Sequence, residues 1–307
     1  MTKVFIDGSA GTTGLRIADR LSQRRDLELL ILPDHLRKDT NARADALQKA
    51  DIAFLCLPDD AAKESAALAE GSKVKIIDTS TAHRVDPNWV YGMPELKGQR
   101  QRILASSRIA NPGCHASGFI ALVAPLVENG LIDPHTALSC FSLTGYSGGG
   151  KKMIAEYEAQ ERSPLLSAPR QYALTQQHKH LKEMAALCGL DALPVFCPIV
   201  ADFYSGMEVT VSLFRDSCKA SPAQLKAMYE SYYQSGLICY RDEADPDGML
   251  SAAALSGKDN MTLTVTGNED RILLISRFDN LGKGASGAAI QNMNLLLGLP
   301  EDTGLTL

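Results

Sequence analysis

The sequence lacks the long apolar runs and basic clusters that mark several protein classes. Nowhere do about 18 apolar residues run together, so no transmembrane helix is expected. The chain of 307 residues has a net charge of -5 and no Lys/Arg-rich block, which argues against nucleic acid or a membrane surface as a partner. The apolar stretch in residues 1–8 is too short for a signal peptide, and we expect a cytoplasmic protein.

Paired cysteines are also lacking, because none of the seven cysteines forms a C-x-x-C motif. Most lie in apolar runs, as Cys56 does within residues 52–57, and this is typical of core cysteines in a reducing compartment. We therefore predict neither a disulfide framework nor a metal site. Cys114 is different, since turn-forming residues come directly before it.

Cys114 follows Asn111-Pro112-Gly113 and precedes a smooth apolar run over residues 119–124. A turn-forming segment followed by an apolar run predicts that Cys114 lies on the first turn of a helix. Unsatisfied backbone N–H groups and the helix dipole stabilise a thiolate at that position. A buried, inert cysteine is the common alternative for this residue type. The Asn-Pro-Gly turn favours a nucleophile.

The amino-terminal segment has the pattern strand, glycine loop, helix. Residues 3–7 predict a short buried strand, and a helical pattern begins at Leu15. The loop consists of Gly8, Ser9, Ala10, Gly11, Thr12, Thr13 and Gly14. Such a loop lets the backbone and a helix amino end approach a pyrophosphate. Its spacing is G-x-x-G-x-x-G instead of G-x-G-x-x-G, and a plain tight turn is the alternative.

Strands and helices alternate through the first part of the chain and then cease to alternate. Strands are predicted over residues 27–32, 52–57 and 74–78, with a helix over 58–68. This order indicates a doubly wound parallel sheet of the Rossmann-like α/β class. Later strands follow one another without helices, as over 261–266 and 272–278, and indicate a second α+β domain with a mixed or antiparallel sheet.

The residues after the second strand bear on the choice of dinucleotide. An acidic residue there favours NAD, and basic residues favour the 2'-phosphate of NADP. Asp34 is followed by His35, Arg37 and Lys38. We predict NADP with Arg37 as its ligand, the alternative being an exposed charged loop.

Two further segments are suited to anions. Residues 79–84 follow the fourth strand and combine small hydroxyl side chains, including Ser80, with Arg84, which can grip a phosphate or carboxylate. Ser147, Gly148 and Lys151 follow a strand over 137–144 and can cradle a phosphate. A surface salt bridge for Arg84 and a flexible linker for the glycine segment are the alternatives. Ser80 is a candidate for cofactor binding, and the candidates for substrate binding are Arg84, Asn111, Ser147, Gly148 and Lys151.

His178 and His180 are candidates for the acid/base, because imidazole exchanges protons near neutral pH. A metal site is the alternative, but no other ligands at suitable spacing complete one. Side chains two residues apart point in different directions on a strand or a helix, so at most one should face the thiol. The sequence does not choose between them.

Several of these segments together resemble the N-acetyl-gamma-glutamyl-phosphate reductases of arginine biosynthesis, in the shorter of two sequence types. The segments are residues 7–14, Trp89-Val90-Tyr91-Gly92-Met93-Pro94-Glu95-Leu96, Asn111-Pro112-Gly113-Cys114, Lys283-Gly284-Ala285-Ser286-Gly287 and Gln291-Asn292-Met293-Asn294. The chain departs from the family pattern at His115 and Ser117, where Tyr or Phe and Thr are usual. It also has Lys182 in place of a Pro.

The resemblance implies a semialdehyde-dehydrogenase-like fold. Residues 1–113, completed by 284–307, would bind NADP, and 114–283 would form the catalytic and dimerisation domain. Gly284, Ala285 and Gly287 would lie near the cofactor, and the enzyme would be a dimer or tetramer. It would reduce an acyl phosphate through a Cys114 thioester and release phosphate. Aspartate-semialdehyde dehydrogenase and a non-catalytic NADP-binding sensor are the rival readings.

Overall fold

The structure is a computed structural model that describes residues 1–9, 11–234, 236–242, 245 and 247–307. The strands are β1 (Thr2–Asp7), β2 (Leu27–Leu30), β3 (Ile52–Leu55), β4 (Lys75–Asp78), β5 (Val90–Tyr91), β6 (Arg108–Ala110), β7 (Ser139–Gly145), β8 (Arg170–Gln171), β9 (Val195–Ala201), β10 (Met207–Phe214), β11 (Ile238–Tyr240), β12 (Met261–Gly267) and β13 (Arg271–Phe278). The helices are α1 (Thr12–Leu21), α2 (Thr40–Lys49), α3 (Asp59–Leu68), α4 (Gln99–Leu104), α5 (Cys114–Glu128), α6 (Gly150–Glu158), α7 (His180–Cys188), α8 (Pro222–Tyr232) and α9 (Gly287–Leu296).

The chain divides into two compact units. The first comprises Met1–Pro112 and Ala285–Leu305, and the second comprises Gly113–Gly284 and Thr306–Leu307. In the first unit the sheet has the order β2-β1-β3-β4-β6-β5, and every pairing is parallel. This confirms the predicted Rossmann-like sheet.

Successive side chains of β1 pack on opposite faces of this sheet. Val4 packs in one cluster with Ile17 of α1 and Met293 of α9. Phe5 packs in a second cluster with Leu47 of α2. Since both faces of the strand are covered, its residues form a continuous apolar run and do not alternate with polar ones.

The segment 89–96 and helix α9 meet within the first unit. Asn292 Nδ2 donates to the carbonyl of Gly92 at 2.8 Å. A Cβ on Gly92 would lie 2.5 Å from that nitrogen, so glycine is required for the close approach. Gln291 Nε2 donates to Glu95 Oε1 at 2.8 Å. Two separate sequence motifs thus form one packing contact.

The second unit has a sheet in the order β11-β12-β13-β10-β7-β9-β8. The pairs β7/β9 and β11/β12 are parallel, and β10 pairs antiparallel with both β13 and β7. This mixed sheet confirms the predicted second domain. One face packs against α5, where a Cβ on Gly118 would lie 2.6 Å from Val209 Cγ2.

Helix α5 is buried along most of its length, from His115 to Leu126. Pro125 lies inside it and has no N–H to donate to the carbonyl of Ala121, four residues earlier. Tyr233 donates its hydroxyl to that carbonyl at 2.8 Å. Tyr233, which follows α8, therefore replaces the helical hydrogen bond that Pro125 cannot make to the carbonyl of Ala121, and the helix continues past the proline.

The other face of the second sheet carries exposed apolar side chains. Phe141 is 49% exposed, Val195 58% and Leu273 37%. Phe141 lies opposite Cys197 and Thr210 in register, so these positions share one face of the sheet. These side chains form an exposed apolar surface on the face of the sheet that α5 does not cover.

Candidate active site

Helix α5 begins at Cys114, as the sequence predicts. Gly113 is the residue before it, with extended backbone (φ -84°, ψ 144°) and no side-chain cap. Cys114 is partly exposed. Its thiol therefore lies at the positive end of a buried helix and remains accessible, which favours the thiolate and its reactivity.

Cys114 opens onto a cavity of about 220 Å³ that lies entirely within the second unit. The residues that line it are Cys114, His115, Thr144, Gly145, Gly148, Gly149, Met153, Tyr172, His178, Lys179, His180 and Val200. Among them, Lys179 supplies an ammonium group. The cavity thus combines a thiol, imidazoles, a phenol and a cation.

Both His178 and His180 line this cavity, and their ring centroids lie 4.7 Å apart. The spacing argument expected at most one of them to face the thiol, and the structure places both at the cavity that Cys114 also lines. It assumed that both residues belong to one element, whereas His180 is the first residue of α7 and His178 precedes the helix. His178 Nδ1 accepts a hydrogen bond from the backbone N–H of His180 at 3.2 Å.

Glu183 connects the histidines to the nucleophile's helix. Its carboxylate is buried, and Oε2 accepts from the backbone N–H of Gly113 at 3.2 Å. Its Oε1 lies 3.8 Å from His180 Nε2. Because Glu183 is three residues after His180 on α7, the helix itself brings the two side chains together.

His115 lines the cavity and belongs to a hydrogen-bonded chain that runs into the interior of the second unit. Its Nδ1 is 2.6 Å from Ser142 Oγ, and its Nε2 is 2.7 Å from the hydroxyl of Tyr172. Burial, together with the nearby imidazole of His178, lowers the pKa of His115 from 6.5 to about 3. The ring is therefore neutral at physiological pH.

The glycine segment after β7 contributes to the cavity through its backbone. Gly148 and Gly149 line it. Ser147 is buried, and its hydroxyl accepts a hydrogen bond from Asn280 Nδ2 at 3.0 Å. Lys151 is exposed on the first turn of α6. The structure brings Gly148 to the thiol's cavity, and neither Ser147 nor Lys151 is among the lining residues.

The predicted dinucleotide loop connects β1 to α1 in the first unit. Gly8 has φ +89°, which favours glycine, and a Cβ on Gly14 would lie 2.5 Å from the carbonyl oxygen of Gly8. Gly11 precedes α1 without a side-chain cap. Ser9, Thr12 and Thr13 lie in the same turn, and Ala10 is outside the described residues. The uncapped helix start fits a pyrophosphate.

The base of this loop is fixed by a buried charge. Asp7 ends β1, and its Oδ2 accepts from Arg43 Nε at 3.0 Å and from Ser65 Oγ at 2.6 Å. Arg43 belongs to α2 and Ser65 to α3. The carboxylate therefore anchors the strand end to two helices immediately before the loop.

The basic segment after β2 contains the pair that bears on cofactor choice. Arg37 Nη2 lies 2.8 Å from Asp34 Oδ1, and both side chains are substantially exposed. The acid that would favour NAD is therefore paired with the base that would favour NADP. Ser80, another predicted cofactor ligand, is buried, and its hydroxyl donates to Asp78 Oδ2 at 2.7 Å.

Arg84 and Asn111 lie together in the first unit. Arg84 Nε donates to the carbonyl of Asn111 at 3.0 Å, and Nη2 donates to the carbonyl of Thr79 at 3.2 Å. Asn111 Nδ2 donates to the carbonyl of Ala285 at 3.0 Å. These bonds fix the guanidinium at the carboxyl edge of β4, where a ligand of a parallel sheet is expected.

The predicted cofactor glycines near the carboxyl terminus are buried. Gly287 begins α9. Gly284 packs against the nucleophile, because a Cβ on it would lie 2.9 Å from Cys114 Cβ. Its observed role is therefore to leave room beside the thiol.

Sequence reasoning missed Tyr172, Lys179 and Glu183 as residues of the site. Glu183 had a usable signal in its spacing from His180, and Lys179 lies between the two histidines. Tyr172 reaches the cavity through the pairing of β8 with β9, which the sequence does not reveal. Within the described ranges, no group of three or more His, Cys, Asp or Glu side chains is arranged to hold a metal, and no helix there is long and apolar enough to cross a membrane.

Two family models match the chain in agreement with this geometry. The model described as semialdehyde dehydrogenase, NAD binding domain, matches residues 3–104. The model described as semialdehyde dehydrogenase, dimerisation domain, matches residues 114–280. The second match begins at the candidate nucleophile.

Similar proteins and structures agree with these models. N-acetyl-gamma-glutamyl-phosphate reductases from Brucella ovis and Brucella canis are each 47% identical over 306 residues, covering 96% of this chain and 99% of the relative. Aspartate semialdehyde dehydrogenase II from Vibrio cholerae has a TM-score of 0.73 at 18% identity, covering 97% of this chain and 98% of that one. The structure of the Candida albicans aspartate semialdehyde dehydrogenase with NADP has a TM-score of 0.67 at 14% identity, covering 97% and 99%. The solved structures support the fold.

Proposed function

The chain belongs to the N-acetyl-gamma-glutamyl-phosphate reductase family, and we propose that it reduces N-acetyl-glutamyl 5-phosphate to N-acetyl-glutamate 5-semialdehyde in arginine biosynthesis, with release of phosphate. The observation that carries this proposal is the partly exposed Cys114 thiol at the start of α5, facing a cavity that also holds His178 and His180. A thiol in this setting forms acyl-enzyme intermediates.

In the first step, Cys114 Sγ attacks the acyl carbon. A carbon–sulfur bond forms, the carbon–oxygen bond to phosphate breaks, and phosphate leaves with the bonding electrons. The backbone N–H groups at the start of α5 are positioned to stabilise the developing oxyanion. A thioester on Cys114 results. A hydride, which the nicotinamide cofactor would supply, forms a carbon–hydrogen bond at the acyl carbon. The carbon–sulfur bond then breaks with its electrons left on sulfur, which returns the thiolate and releases the aldehyde.

We assign the proton transfers to His180 ahead of His178. His178 Nδ1 already accepts the backbone N–H of His180, so a neutral His178 carries its proton on Nε2 and acts as a donor. His180 has the Glu183 carboxylate 3.8 Å from its Nε2, an arrangement that orients an imidazole and stabilises its protonated form. His180 is therefore the better base, and His178 the better donor.

The first unit is our candidate for holding a nicotinamide cofactor, which supplies a hydride when bound. The backbone at Gly8, Gly11 and Gly14 and the uncapped start of α1 would hold the pyrophosphate. We propose NADP, since Arg37 offsets Asp34 and can contact a 2'-phosphate. Ser80, Ala285 and Gly287 are assigned to the same site. We retain residues 1–113 with 284–307 as the cofactor domain and 114–283 as the catalytic and dimerisation domain.

For the anionic groups of the substrate, Lys179 and the backbone of Gly148 and Gly149 are the candidates inside the cavity. Arg84, Asn111, Ser147 and Lys151 remain predicted substrate ligands. A dimer or tetramer is proposed, with the exposed apolar face around Phe141 as its contact surface. Free cysteines support a cytoplasmic location.

The test is the reverse reaction, in which the protein oxidises N-acetylglutamate semialdehyde with NADP and phosphate. Cys114→Ser should lower turnover by about 10³-fold or more. The matched control is Cys239→Ser, which alters a partly exposed thiol in β11. Wild-type turnover in Cys114→Ser would refute the covalent route. Preference for aspartate semialdehyde, or NADP binding without turnover, would favour the two rival functions instead.

A further inference from the structure

Helix α5 carries a second chemically active side chain directly after the nucleophile. His115 is buried and spans Ser142 Oγ at 2.6 Å and the Tyr172 hydroxyl at 2.7 Å. Tyr172 lines the cavity that Cys114 faces. The three side chains thus form a chain of hydrogen bonds from the interior of the second sheet to the cavity surface.

A neutral imidazole has one N–H donor and one acceptor nitrogen, so this chain can run in two directions. If Nδ1 donates to Ser142, then Nε2 accepts the proton of Tyr172, and the phenol has no hydrogen for the cavity. If Ser142 donates to Nδ1, then Nε2–H donates to the oxygen of Tyr172. The phenolic hydrogen is then available to point into the cavity, because Tyr172 borders that cavity.

Neither the imidazole of His115 nor the phenol of Tyr172 is charged at neutral pH. Burial is the main reason why the pKa of His115 is lowered to about 3. Burial and the nearby charge of Cys114 raise the pKa of Tyr172 above its usual value of 10.0. Tyr172 and Cys114 line the same cavity, so the phenol and the sulfur border one space. Tyr172 therefore keeps its hydrogen at neutral pH, and it can donate that hydrogen into the cavity when Nε2–H of His115 donates to the phenol oxygen.

The segment that carries Tyr172 is held in an unfavourable conformation. Ala173 has φ 52° and Gln176 has φ 57°, both in the left-handed region that non-glycine residues seldom adopt. The Gln176 side chain pairs with the backbone of Phe196, donating from Nε2 at 2.7 Å and accepting at Oε1 at 2.8 Å. Strained backbone held by such contacts is concentrated at functional sites.

We infer that Tyr172 is a catalytic hydrogen-bond donor to the acyl oxygen of the substrate and that His115 is a positioning residue acting through it. This inference rests on the proposed function, because it needs an acyl group on or near Cys114. The acyl carbon must bond to sulfur, so its oxygen lies about 3 Å from the sulfur, inside the cavity that Tyr172 also borders. No proton is transferred, since Tyr172 stabilises the oxyanion by donation alone.

The test combines Tyr172→Phe, His115→Phe and the double variant in the semialdehyde assay. We expect kcat to fall about 100-fold in Tyr172→Phe, with KM within about twofold, because a lost oxyanion donor costs about 10²–10³-fold. His115→Phe should lose about tenfold. The double variant should be no slower than Tyr172→Phe, since His115 has no further effect once the phenol is gone.

A matched control separates this role from a structural one. Tyr240→Phe removes another phenol in the second unit, whose hydroxyl donates to Asp242 at 2.7 Å, and should leave kcat unchanged. If His115→Phe does not fold, His115→Gln replaces it, because its amide retains one donor and one acceptor. Thermal melting of each variant monitors folding.

Three results would overturn the inference. Unchanged kcat in Tyr172→Phe would remove the catalytic role, and additive losses in the double variant would remove the positioning role of His115. An altered pH profile of Cys114 alkylation in Tyr172→Phe would show that the phenol acts on the thiol instead of the acyl oxygen. Wild-type protein without semialdehyde turnover would refute the proposed function itself, whereas wild-type turnover with normal Tyr172→Phe refutes this inference alone.

Discussion

Replacement of Gly284 by alanine tests how tightly the nucleophile is held. The added Cβ would lie 2.9 Å from Cys114 Cβ, 3.2 Å from the carbonyl oxygen of Asp279 and 3.2 Å from Phe278 Cε2. Cys114 Cβ is fixed by the first turn of α5 and cannot rotate away as the end of a long side chain would. The methyl group therefore pushes on the nucleophile itself.

The segment that carries Gly284 is also unable to retreat. The N–H of Gly284 donates to the carbonyl of Asp279 at 3.0 Å. The buried carboxylate of Asp279 accepts from the N–H of Leu281 at 2.6 Å and from Ser205 Oγ at 3.0 Å. These bonds fix the turn on both sides, so the strain of the substitution falls on Cys114.

Optimal carbon–carbon contact lies at about 3.5–4.0 Å, so the 2.9 Å separation requires a displacement of at least about 0.6 Å. Overpacking of this kind costs about 1–3 kcal/mol of stability. Since a misplacement of about 1 Å can cost about 10²-fold in rate, we expect kcat to fall about 10–100-fold in Gly284→Ala.

Steady-state turnover, the rate of Cys114 alkylation and thermal melting would be measured together. Gly236→Ala is the matched control, because a Cβ on Gly236 meets no atom within 4 Å. It should keep wild-type kcat. If Gly284→Ala melts normally and retains full kcat, then the close packing against Cys114 does not set the position of the thiol, and the argument fails.

Three other predictions follow from the same geometry. In Gly11→Ala the added Cβ would lie 3.7 Å from the carbonyl oxygen of Gly8, so folding should be normal, while the Kd for NADP, measured by titration, should rise at least about tenfold. In Gly14→Ala the added Cβ would lie 2.5 Å from the same oxygen, so this variant should instead have a lower melting temperature. The low pKa of His115 contributes stability above pH 6.5 that is lost as pH falls towards about 3, because the imidazole binds a proton in the unfolded state but stays neutral in the folded state. Denaturant melts of His115→Phe at several pH values should lack this part of the dependence of unfolding free energy on pH. Lys179→Gln should raise KM for phosphate about tenfold at nearly constant kcat, whereas Lys182→Gln, an exposed lysine on α7, should not.

The local features of the fold were accessible from the sequence. The Pro112-Gly113 turn and the apolar run behind it predict the start of α5 at Cys114, because both signals act within one helical turn. The glycine loop at residues 8–14 is predicted for the same reason. Alternation of strands and helices then gives the parallel sheet, and its end near residue 112 marks the change of architecture.

The features that depend on distant pairing were not accessible. Tyr172 reaches the cavity that Cys114 lines because Gln171 pairs with Ile199 across β8 and β9, and no local pattern records that register. Ser147 has the residue type of an anion ligand, but its hydroxyl meets Asn280, which lies 133 residues later. Contacts between residues far apart in the sequence decide where a side chain points, and the residue type alone does not predict that direction.

The discontinuity of the first unit has a consequence for how the protein is made. Met293 of α9 completes a core cluster with Val4 and Ile17, although the ribosome adds it nearly 300 residues after the chain begins. Until translation is almost finished, that side of the amino-terminal sheet is therefore only partly covered, by α1 and α4 without α9. A premature stop shortly before α9 would damage the first unit to be synthesised, and chaperones would meet its incompletely covered face throughout elongation.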